Sequence, residues 1–458
     1  MTKRKQKLPQ EAAPVEVLKQ LNLNAAGLDI GAEEIYVCVP VDRDEQPVRA
    51  FPTFTADLHA LADWLAACRI DTVAMESTGV YWIPVYEILE ARGFHVHLVN
   101  ARQLKNVPGR KTDVLDSQWI QQLHTYGLLR GSFRPPEDIC ALRALARHRD
   151  NLIRYRSSHI QHMQKALQLM NLKLTQVVSD ITGVTGMSII RAIVAGERNP
   201  QTLARMRNAG CAKSQEEIAK ALHGNYKAEH LFVLKQALAQ YDFYQQQIEE
   251  CDAEMEAMYA ALPPSEPGDS ASPPPKPTQR KPRKNQAHFD LATSLYRMVG
   301  VNLAGIDGLD ALSAQTIITE IGTDMSRWPT VKHFTSWLCL SPYNDISGGK
   351  VLRSRTKKTK NRANMAFRLA AQSLSRSQSA LGAFYRRMRA KHGPEKANKA
   401  TAHRLARIVY HMLKHRDAYV DPGETAYNQQ QRDRTIRNLK RRASLLGLQL
   451  VPAIATVS

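Results

Sequence analysis

Apolar residues fall into short runs over the first third of the chain and into long three-four spacings over most of the rest. Ala25-Ala26-Gly27-Leu28-Asp29-Ile30-Gly31 reads as a strand, residues 35–40 as its antiparallel partner, and 48–54 as a third strand. Leu58, Leu61, Leu65 and Cys68 share one face of a helix. Thr72-Val73-Ala74-Met75 is a short apolar strand ending at Glu76; a helix from about Pro84 and a strand over 95–99 follow. The stretch 110–119 reads as the first turns of another helix, with Thr112 as its N-cap. A three-strand meander followed by alternating helices and strands predicts an α/β domain over 25–136, behind a basic leader, 1–24.

The rhythm then changes. Leu142, Leu145, Leu152, Ile160, Met163, Leu167, Met170 and Leu174 keep helical spacing. Leu234, Leu238, Tyr241, Ile248, Met255 and Leu262 form a heptad-like seam interrupted by Gln245 and Asp252. Residues 137–262 are therefore expected to be a long helical, coiled-coil segment, with a smaller helical insertion over 175–226. Its two long helices could pair as a hairpin within one chain or zip to another subunit. Residues 263–287 hold eight prolines between positions 263 and 282 and a basic knot at 280–284, the composition of an extended linker. A mainly α C-terminal domain over 288–420 and a basic tail over 421–458 complete the organisation.

Composition narrows the partner. Sixty-three Lys and Arg against 43 Asp and Glu give a formal charge of +20, which calls for a polyanion. No apolar run approaches the ~18 residues of a spanning helix, and Lys3-Arg4-Lys5 is not followed by a signal-peptide core. Nucleic acid is preferred over membrane. The six cysteines form no zinc-type pair, and a reducing cytoplasm is the expected setting.

Candidate chemistry lies in four acids. Asp113 and Asp116 are three apart, so both carboxylates project from one helical face. Alone, the pair reads as an acidic first turn matched to the helix dipole. Asp29 lies on a central strand and Glu76 at the end of another, and in a ribonuclease-H-like sheet these elements are adjacent. Four acids converging there would bind hard divalent cations such as Mg²⁺, and two ions could polarise a phosphodiester. Leu28-Asp29-Ile30-Gly31 also resembles the phosphate loop of actin-like kinases, but the Asp-Gly-Gly loop of their second half is missing.

The C-terminal domain adds two features. Residues 306–318 read as a helix–hairpin–helix, or as a packed helical corner, with Asp310 where a glycine is usual. Ser347 precedes Gly348-Gly349 on an exposed turn, and 346–394 contains no Asp or Glu but 13 Lys or Arg. Seven of these, Lys350, Arg353, Arg355, Lys357, Lys358, Lys360 and Arg362, are candidate nucleic-acid contacts.

The order Leu28-Asp29-Ile30, Met75-Glu76-Ser77-Thr78-Gly79, Lys111-Thr112-Asp113-Val114-Leu115-Asp116, Leu340-Ser341-Pro342 and Ser347-Gly348-Gly349-Lys350 resembles the DEDD transposases of bacterial insertion sequences. The helix over 402–410 fits that family's closing segment. The resemblance implies a RuvC-like N-terminal domain, a coiled coil and a C-terminal transposase domain. It implies that Asp29, Glu76, Asp113 and Asp116 bind Mg²⁺, as two ions, and that Ser347 joins DNA covalently. It also implies oligomers, dimers or tetramers, guided by a structured RNA from their own element. The proline-rich linker, the 175–226 insertion, the basic tail and Asp310 depart from the family pattern.

Overall fold

The computed structural model describes residues 19–77, 79–100, 113–266, 273–275 and 284–451. Thr112, most of the leader and most of the proline-rich stretch lie outside these. Two compact units divide the chain, 1–134 and 135–458.

The first unit is a five-stranded mixed sheet. β1 (Ala25–Ile30), β2 (Glu34–Cys38) and β3 (Val48–Pro52) form an antiparallel meander; β4 (Thr72–Glu76) lies parallel to β1, and β5 (His95–Val99) parallel to β4. The resulting order, β3-β2-β1-β4-β5, is consistent with a ribonuclease-H-like fold. Helices cover both faces of the central strands, which is why β1 and β4 are apolar almost throughout. Leu28, Ile30, Val73 and Met75 pack on α1 (Thr55–Ala67) and α2 (Trp82–Ala91). Ala74 and Val99, pointing the other way, pack on Ile120 of α3 (Asp113–Thr125).

The second unit is largely helical. α4 (Glu137–Leu169) and α5 (Ala228–Ala261) lie side by side and antiparallel within the chain: Arg149 meets Asp252, Arg156 meets Gln245, and His159 stacks on Tyr244. The two polar interruptions of the α5 seam are thus matched by arginines of α4. Arg149 and Asp252 are both about fully buried, bonded through Nε–Oδ1 at 2.5 Å and Nη2–Oδ2 at 3.0 Å. Short helices from Leu174 to Ala221 close over the far end of the pair through Met163, Leu167, Leu234 and Leu238.

Beyond residue 284 come α6 (Ala311–Ile321), α7 (Arg362–Ser373), α8 (Ala380–His392), α9 (Pro394–His415) and α10 (Gly423–Leu445), among shorter helices. The basic tail is helical over most of its described length. Asp310 is the N-cap of α6, its Oδ1 accepting from Ser313 N at 2.9 Å. An amide that a phosphate would take is thereby filled from within, which favours the packed-corner reading. The turn at Ser347 belongs to a β-hairpin that the sequence reading did not contain: β6 (Tyr343–Ser347) pairs with β7 (Lys350–Arg355). Gly348 and Gly349 connect them at φ 54° and 77°, the left-handed pair that a two-residue hairpin turn requires.

Candidate active site

Strand alternation and one glycine build the acidic centre. On β1, Leu28 and Ile30 face α1 and α2, so Gly27 and Asp29 face α3. The α3 backbone lies so near that a Cβ on Gly27 would stand 2.2 Å from Gln121 N and 2.4 Å from Ser117 O. Glycine is therefore obligatory for this contact. α3 runs antiparallel to β1: Gln121 Nε2 donates to Ala25 O at 3.3 Å, and Ser117 lies at Gly27. One turn earlier, the same row of the helix reaches the level of Asp29 with Asp113. Asp116 is on the adjoining row.

Glu76 arrives from the neighbouring strand. β1 and β4 are in register from Ala25↔Thr72 to Leu28↔Met75, so the next step sets Asp29 level with Glu76. Alternation turns Glu76 to the side of Ala74, which packs on α3. The four acids thus come to one edge from three elements.

Their proximity is registered in the protonation of Asp29. Its carboxyl is raised to about 6, first by burial, then by the charges of Asp113, Asp116 and Glu76, against a lowering hydrogen bond from the Ile30 backbone. Tyr36 stands directly across from Asp29 on β2 and donates to Glu34 Oε2 at 3.0 Å; that bond and the Glu34 charge, burial and the Asp113 charge all raise its phenol. Sequence reasoning missed Tyr36 and Gly27; the only signal was their place around Leu28-Asp29-Ile30. Among the described residues no three His, Cys, Asp or Glu side chains form a metal-ligating group. The four carboxylates share a field without being drawn together to coordination distance.

Ser347 and the cation run belong to the second unit. Ser347 is exposed at the tip of its hairpin, opposite Lys350. Lys350, Arg353, Arg355, Lys357, Lys358 and Lys360 are exposed as well. Arg353 pairs across from Asp345, and Lys357 lies 4.5 Å from the Tyr343 ring. Arg362 is engaged with Asp150 in an ion pair. Among the described residues, no helix is long and apolar enough to cross a membrane.

Two family models match the chain. One, described as a transposase and of the DEDD, IS110 type, covers residues 26–172 and so takes in all four acids. The other, described as the transposase IS116/IS110/IS902 family, covers 301–386 and takes in Ser347 with its hairpin. No curated protein matches the chain at a significant level.

Proposed function

The chain belongs to the IS110 family of transposases, and on that premise we propose that it cuts and rejoins the ends of a mobile element with Ser347 as the attacking group and Asp29, Glu76, Asp113 and Asp116 as a metal-binding tetrad. That it is a DNA transposase follows from the family; the assignment of chemistry to residues is our reading. The observation that carries it is the crowding of acids at Asp29, whose carboxyl three neighbouring charges help to hold near 6. Such a group is costly to ionise alone and is relieved by a cation. Its donors are all carboxylate oxygens, which suit a hard ion such as Mg²⁺.

Bound by the tetrad, a pair of such ions would polarise the scissile phosphate and stabilise charge on the leaving oxygen. The chain's own residues supply the remainder. Ser347 Oγ attacks phosphorus; an Oγ–P bond forms, a P–O bond to the sugar breaks, and the serine proton passes through solvent to the leaving oxygen. The product is a phosphoserine linkage and a free hydroxyl, and reversal on a new partner rejoins the strand. Lys350 and its neighbours on the hairpin hold backbone phosphates, contacts that position the strand without reading its sequence.

The strand order supports a RuvC-like reading of the first unit. Acids and serine lie in different units, so both units are needed, from one chain or from two in a dimer or tetramer. A structured guide RNA is consistent with the formal charge of +20 and with the family resemblance. Asp113→Asn tests the tetrad: it removes a charge but keeps the shape, and Mg²⁺-dependent cleavage should fall by ~10²-fold or more. Cleavage at near wild-type rate would remove Asp113 from the mechanism.

A further inference from the structure

A groove of about 1150 Å³ opens in the second unit between the foot of the Ser347 hairpin and the face of α9. Its composition is divided. Leu340, Pro342, Ile408, Met412 and Phe384 supply apolar surface. Arg355, Lys396, Lys399, Arg404 and Arg407 supply five cations, against the two carboxylates of Glu395 and Asp417. Among the described residues none of the five cations is in an ion pair. Lys399 instead donates to Thr356 Oγ1 at 2.7 Å, which ties the hairpin foot to α9, and Arg404 lies 5.1 Å from the Phe384 ring.

Two of the cations share a helical row with two histidines. Lys399, His403, Arg407 and His411 recur every fourth residue along α9 and all line the groove. His403 is half-buried and held below the usual imidazole range by burial and then by Arg407. His411 is lowered by burial, then by His415, Arg407 and Lys414. Near neutral pH both are uncharged rings that can donate or accept a hydrogen bond.

We propose that this groove takes an unpaired nucleotide of a nucleic-acid strand, with its base on the apolar floor and its flanking phosphates on the groove's lysines and arginines. A duplex presents only sugar and phosphate to a recessed surface and would leave the floor empty. A free phosphate would use the cations alone. An unpaired base brings a flat apolar face and polar edges, the combination used by proteins that bind single strands. The position fits as well. The hairpin rises from the groove by four or five residues to Ser347, roughly 15 Å at strand geometry. A strand seated in the groove reaches the serine within a few nucleotides. The inference rests on the reading that this hairpin handles DNA, but it does not require Ser347 to react.

The test is equilibrium binding of full-length protein, in the Ser347→Ala background, to short labelled oligonucleotides. The probes are single-stranded DNA, RNA of the same sequence, duplex DNA and an abasic strand of equal length. A base-bearing strand, DNA or RNA, is expected to bind about tenfold tighter than the abasic one, within the range of base stacking on protein. The arm with the larger difference identifies the source. Ala400→Phe, which fills the floor from a half-buried position on α9, should erase that difference and leave duplex affinity unchanged. Equal affinity for base-bearing and abasic strands in the Ser347→Ala protein overturns the proposal, and this comparison needs no folded Ala400→Phe protein. A preference that survives in folded Ala400→Phe overturns it too. Catalysis plays no part in these readouts, so a failure here is separate from a failure to form a covalent adduct.

Discussion

A methyl group on Gly27 would meet the α3 backbone at 2.2 Å and 2.4 Å. Gly27→Ala must push α3 outward or unseat β1, at ~1–3 kcal/mol. Because α3 carries Asp113 and Asp116, the same shift weakens their hold on Asp29, and cleavage should fall more than stability does. Thermal unfolding compared with cleavage rate checks this. A second pair of residues gives opposed pH signatures in the first unit. Asp29 binds its proton near 6 when folded against 3.8 for the ordinary group, so its contribution declines as pH rises through that window. His124 is buried, its Nε2 in a hydrogen bond with Thr72 Oγ1 at 2.8 Å, and its imidazole is lowered to about 4 by burial and then by His97. The unfolded chain then binds more protons between about 4 and 6.5, so this contribution grows as pH rises. The two contributions oppose each other between pH 4 and 6. In EDTA, hydrogen exchange of β1 and β4 amides should show protection rising with pH in Asp29→Asn and falling with pH in His124→Gln. Parallel profiles for both variants would contradict the assigned directions.

The hairpin is the least self-supporting element. Its strands expose Ile346, Val351 and Leu352 at 62%, 55% and 71%, and an isolated two-stranded ribbon is marginal in water. At Gly348, φ is 54° with no atom near a hypothetical Cβ, so the demand is conformational rather than steric. Gly348→Ala should cost ~1–2 kcal/mol locally and lower adduct yield while DNA binding by gel shift persists. The opposite case is α4 with α5. Asp252→Ala would strand a buried Arg149 and is expected to destabilise the pair by ~3–5 kcal/mol, read as a drop in unfolding midpoint. These elements differ in how far the sequence disclosed them. The five strands of the first unit were legible because buried runs and alternation leave a clear period. β6 and β7 were not, since with both faces exposed neither strand alternates. Pairing of α4 with α5 inside the chain was also hidden. A heptad seam names no partner, and Arg149 and Arg156 lie about a hundred positions from the residues they satisfy. Gly27 was silent for the same reason, its constraint coming from Ser117 and Gln121.

For the whole molecule, charge and division of labour set the behaviour. With a formal charge of +20, DNA affinity should fall steeply with salt, by a log–log slope of ~0.7 to 0.9 per neutralised phosphate. Neutral substitutions at Lys357, Lys358 and Lys360, all exposed, should flatten that slope. The order of motifs singled out four acids and a serine, and three of those acids act electrostatically on the fourth, Asp29. The serine sits in a separate unit from the acids. The central claim is that a serine of the second unit attacks DNA under the influence of acids in the first. The most direct test is to trap the protein on labelled element-end DNA with Mg²⁺ and map the modified residue by mass spectrometry. Wild type should yield a phosphodiester-linked adduct at Ser347, and Ser347→Ala should bind the same DNA yet give neither adduct nor strand exchange. Strand exchange by Ser347→Ala at wild-type yield, or an adduct mapped to another residue, would contradict the account.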